Sequence, residues 1–150
     1  MNCTSSPSTP FRSTDRFRRQ HEELVALGGQ IFACLVIPSL EADPNPVRHL
    51  LARFKGKLEI HASMENEALY PRLLAHPDAG VRATADRLQD EVGGLYQSVG
   101  AYLERWPTSQ SISTNAPDFA RETFDVLRAL GKRMKREDRE LYPLVDAHDA

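Results

Sequence analysis

Apolar residues recur three and four positions apart along four separate stretches of this chain, a spacing that builds helices with one stripe each for burial. Phe17, His21, Leu24, Gly28, Ile31 and Leu35 mark the first stripe. The second runs Val47, Leu50 or Leu51, Phe54, Leu58, His61, Glu65, then Ala68 or Leu69, and opens on Asn45-Pro46, an N-cap with proline at the first helical position. Val81, Ala85, Leu88, Val92, Leu95, Val99 and Tyr102 form the third; Phe119, Thr123, Val126, Leu130, Arg133, Glu137 and Leu141 form the fourth. Pro71 is expected to end or kink the second helix, Asp78 to cap the third, and Trp106-Pro107 to break it. The Ser, Thr and Asn of residues 108–115 read as the longest connection, with Asn115-Ala116-Pro117 opening the last helix. Mostly short connections make neighbours antiparallel, so the expected fold is an all-α, up-down-up-down four-helix bundle over residues 13–147. Residues 1–12, rich in Ser, Thr and Pro, read as a disordered tail.

At 150 residues this is one domain, long enough to bury a core without staples. The formal charge of -2, with acidic and basic residues interspersed, gives no basic face for nucleic acid. Only Cys3 and Cys34 are present, which rules out a disulfide framework or a cysteine zinc site and suits a reducing cytoplasm. The N-terminus lacks the apolar run of a signal peptide, and no stretch approaches about 18 continuous apolar residues. A soluble cytoplasmic protein is expected, without membrane or nucleic-acid partners.

The second and fourth stripes share a repeat. Residues 133–143 (RMKREDRELYP) laid over residues 61–71 (HASMENEALYP) align Glu137 with Glu65 and the two Leu-Tyr-Pro runs without a gap, and set Arg133 against His61. In an antiparallel bundle His21, His61, Glu65, Arg133 and Glu137 fall at one level along the axis, a polar layer in an apolar interior. A His four residues before a Glu puts an imidazole nitrogen and a carboxylate oxygen on one face, a gap that a metal ion can bridge. Such donors suit iron, zinc or manganese. Two carboxylates in one poorly hydrated layer require a cation, or one of them takes a proton. Metal is one such cation and Arg133 is another. An inward Arg133 about 5 Å from a divalent ion would repel it by roughly 6 to 7 kcal/mol at an effective dielectric of 20, unless its long side chain turns outward.

RFRRQHEEL, HASMENEALYP and REDRELYPL together resemble the three signatures of the hemerythrin-like, or HHE cation-binding, family, over about residues 16–145. The resemblance implies a four-helix bundle with a non-haem di-iron or other metal centre, and roles in oxygen binding, oxygen or nitric oxide sensing, or iron delivery for repair. It implies His21 as the ligand from the first helix, His61 and Glu65 as the pair from the second, and Glu137 as the carboxylate of the last. The chain departs from the pattern at two ligand positions, where Val92 and Arg133 stand in place of histidines. The expected site is therefore reduced to one ion, iron or another divalent metal, used for binding or sensing, with a diatomic gas as a candidate ligand. The alternative is a metal-free bundle in which Arg133 replaces the ion and the protein serves as an interaction or regulatory module. No nucleophile, oxyanion donor or phosphate loop points to an enzyme. His49, His76 and His148 are expected at the surface, Tyr70 and Tyr142 to close the bundle end by packing and hydroxyl bonding, and Cys34 as a small buried residue.

Overall fold

The structure, a computed structural model, describes residues 14–148; the expected tail lies outside them. All regular structure among the described residues is helical. Helix α1 spans Asp15–Ala33, a short α2 Ile37–Ala42, and α3 Asn45–Met64. After a wider turn at Glu65–Leu69 the same rod runs on as α4, Tyr70–Leu74. Then come α5 (Ala79–Val92), α6 (Leu95–Arg105), α7 (Ser109–Thr114) and α8 (Ala116–Arg136), the last followed by a second wide turn at Glu137–Leu141 and by α9 (Tyr142–His148). Helix α1 packs on α3, α4 on α5, and α6 on α8. No helix among the described residues is long and apolar enough to cross a membrane.

The stripes bury much as their spacing dictates. Phe17, His21, Leu24 and Ile31 are buried on α1, with Leu27 taking the place expected of Gly28. Buried apolar side chains form two clusters, one containing Leu24, Leu58, Leu130 and Met134, the other Phe17, Leu69, Tyr70, Leu141 and Tyr142. His21, His61, Glu65, Arg133 and Glu137 fall between the two clusters along the same helices, and all five are buried. The polar layer thus separates two apolar cores.

Several local expectations are corrected. Pro71, expected to end or kink its helix, distorts it without ending it. A proline ring clashes with the carbonyl four residues back and offers it no N–H, and the chain relieves this by widening one turn, so that the Tyr70 N–H reaches the Glu65 carbonyl. Pro143 imposes the same solution, with the Tyr142 N–H on the Glu137 carbonyl. Residues 108–115 are not an open connection: Thr108 accepts the Ser111 N–H and Ser111 answers it, a capping box that starts α7. Neither Asn45 nor Asn115 caps a helix with its side chain; Asp43 Oδ1 accepts the Asn45 N–H, and Asn115 donates to the Ser111 carbonyl. Asp78 does cap α5, accepting from the Val81 N–H at 3.0 Å. The third rod is broken at Gly93-Gly94, where a Cβ on Gly93 would come 2.9 Å from the Gln89 carbonyl oxygen. Cys34 is half-buried against the larger core, short of the full burial expected.

Candidate metal centre

Helix α1 supplies His21, α3 supplies His61, and Glu65 and Glu137 stand at the first positions of the two wide turns. One ligand atom from each of these four residues lies within 4.8 Å of all the others, and each residue is at most 2 % exposed. The two imidazole Nε2 atoms are 2.9 Å apart. His61 Nε2 is 2.9 Å from Glu65 Oε1, and His21 Nε2 is 3.3 Å from Glu137 Oε1. The wide turns also bring a tyrosine into the layer, since Glu65 and Tyr70, and Glu137 and Tyr142, are five residues apart yet buried together. Tyr142 donates its hydroxyl to Glu65 Oε1 at 2.6 Å and lies 3.0 Å from His21 Nε2.

Arg133 points inward and is 4 % exposed. Its guanidinium lies over the Tyr96 ring, 4.2 Å from the centroid, with Nη2 3.5 Å from Glu65 Oε2 and Nε 3.6 Å from Glu137 Oε1. These are charge contacts, longer than a well-formed arginine–carboxylate fork. Glu65 Oε2 and both Glu137 oxygens are buried without a hydrogen bond.

The electrostatics follow from this crowding. Burial pushes the Glu65 carboxyl up, and the Glu137 charge adds to the effect against the opposing contact with His61. For Glu137 burial acts in the same direction, but contacts with His21, His61 and Glu65 and the charge of Arg133 outweigh it and hold the carboxyl well below its ordinary range. Of the two carboxylates, Glu137 is the ionised one and Glu65 the one driven towards a proton. Burial alone would lower His61, yet its contacts with Glu137 and Glu65 and their charges raise its pKa to about 9.

Two imidazoles and two carboxylates converging from three rods, with buried oxygens lacking hydrogen bonds, fit one metal ion. A second ion would need further donors; Val92 has no metal-binding side chain, and the position of Arg133 is filled by a cation. Two contributors were absent from the sequence reading. Gln20 Oε1 lies 2.7 Å from His61 Nδ1, and Asp138 Oδ1 lies 2.9 Å from His21 Nδ1. Each adjoins a ligand position, the one signal available, but both fall outside the apolar stripes. His49 and His148 are exposed as expected, and His76 is half-buried, packing edge to face with His148 with ring centroids 5.0 Å apart.

A buried histidine and carboxylate cluster between two apolar cores of a helical protein is an arrangement that could hold a metal ion. The family model described as the hemerythrin HHE cation-binding domain matches residues 12–145, and the chain belongs to that family. Comparison with the curated proteins and with the solved structures found no match.

Proposed function

We propose that this chain is a cytoplasmic protein, an up-down-up-down hemerythrin-like bundle that holds one divalent metal ion, non-haem iron foremost, through His21, His61, Glu65 and Glu137. Its task is binding or sensing, with oxygen or nitric oxide as the ligand class, and not catalytic turnover. The observation that carries this reading is the convergence of four buried ligand atoms within 4.8 Å of one another. Glu137 Oε2, buried without a hydrogen bond and not the oxygen that Arg133 Nε faces, supports it, because a buried acceptor of that kind is costly unless a cation meets it. Iron in such a donor set would supply a redox-capable Lewis acid able to take up a small ligand.

A second reading is favoured by the inward Arg133, which reaches both carboxylates. In it the guanidinium is the cation of the layer and the bundle serves as a metal-free interaction module. Elemental analysis of protein purified without chelator separates the two readings. Near-stoichiometric metal that is lost in His61→Ala supports the metal centre. A metal-free parent in which Arg133→His restores uptake establishes the arginine as the replacement for the ion.

A further inference from the structure

We infer that Gln20 and Asp138 are positioning residues that fix the tautomers of His61 and His21, turning both Nε2 lone pairs into the same buried space. This rests on the single-cation reading. A carboxylate oxygen accepts, so the contact of Asp138 Oδ1 at 2.9 Å places a hydrogen on His21 Nδ1. Gln20 is oriented by its other end: its amide nitrogen donates to Met64 Sδ at 3.2 Å, which leaves Oε1 to accept from His61 Nδ1 at 2.7 Å. With both Nδ1 hydrogens committed outward, two Nε2 atoms face each other at 2.9 Å beside two carboxylates. Two imidazole lone pairs at that distance repel unless a proton or a metal ion lies between them. The pair of outer contacts therefore makes the centre a set of acceptors poised for a cation. Without them an imidazole is free to turn an N–H inward, and the donor count of the site drops.

The two supports differ in kind. The Asp138 side chain is 40 % exposed and orients His21 through a carboxylate, whereas Gln20 is half-buried and orients His61 through an amide. Neither donates an atom to the centre itself, so neither can be read from a ligand motif.

The test uses zinc as a diamagnetic probe on the full chain. Its affinity is measured by competition with a chromophoric chelator, and the thermal midpoints of the zinc-free proteins are measured alongside. Gln20→Ala and Asp138→Ala should each weaken zinc about 10- to 100-fold with little change in the zinc-free midpoint. Gln20→Glu and Asp138→Asn keep an oxygen acceptor and should recover the larger part of the loss. Long-range proton–nitrogen spectra of the zinc-free parent should show His21 protonated at Nδ1, a pattern it loses in Asp138→Ala. Zinc held by the two alanine variants as tightly as by the parent overturns the inference. So does a loss that tracks the zinc-free midpoint and is not rescued by the acceptor variants. A parent that takes up no zinc overturns the single-cation reading itself, and the inference with it.

Discussion

His61 is where the charge of the polar layer becomes a measurable pH dependence. Its pKa is about 9 in the folded chain against an ordinary 6.5, and the residue is 1 % exposed, so solvent screens little of the effect. A raised folded value means stability that is fully present below about 6.5 and lost as the pH climbs through 9. The shift corresponds to about 3 kcal/mol. Urea unfolding of metal-free protein should therefore show stability falling by that order between pH 6 and pH 10, and His61→Gln should flatten the slope; an unchanged slope would mean that His61 is not charged in the layer. The burial of the candidate ligands was legible at this scale because His21, His61, Glu65 and Glu137 interrupt stripes of apolar residues, which places them inward whatever their chemistry. The direction of Arg133 was not legible, since spacing fixes a Cβ and leaves a long side chain free to turn outward. Its seat on the Tyr96 ring decides the matter, and that contact joins positions 37 residues apart on different helices.

The wide turns at Glu65–Leu69 and Glu137–Leu141 give the repeat its structural meaning at the scale of the element. In a regular α-helix residues five apart do not share a face, so a reading at 3.6 residues per turn cannot place both Glu65 and Tyr70 inside. The proline expected to end or kink the helix is what forces the widened turn, and the turn carries the tyrosine into the layer. Overall helicity and the main breaks were readable from periodicity and from Pro77 and Pro107. The turns were not, because the sequence sign for them is the same as the sign for a stop. Pro71→Ala restores the N–H and removes the clash, and should let the rod close into regular α-helix with Tyr70 displaced from the core. Near-ultraviolet circular dichroism should lose tyrosine intensity while the far-ultraviolet helix signal holds, with stability lower by about 1–3 kcal/mol as the ring loses burial. An unaltered near-ultraviolet spectrum would show that packing of the two cores, and not the proline, sets the turn.

At the scale of the whole molecule, a layer of buried charge separates two apolar clusters, and its electrical balance sets both stability and affinity. Arg133 offsets one carboxylate and opposes a metal ion, so its removal should act in opposite directions on the two properties. Arg133→Gln keeps most of the side-chain volume but removes the guanidinium facing both carboxylates and leaves His61 as the remaining cation, and breaking a buried pair costs about 3–5 kcal/mol. Metal-free Arg133→Gln should unfold at correspondingly lower urea. The same variant should bind divalent metal more tightly than the parent, because the repulsion between guanidinium and ion is gone while His21, His61, Glu65 and Glu137 remain. Metal at a hundredfold excess over its dissociation constant adds about 2.7 kcal/mol, enough to return much of the lost stability. Urea titrations of parent and variant, each with and without zinc or ferrous iron, measure both effects in one experiment. A crossover, with the variant weaker when metal-free and gaining more from metal, is the expected result. A variant weakened equally in both conditions would mean that Arg133 is a packing residue whose charge does not reach the centre.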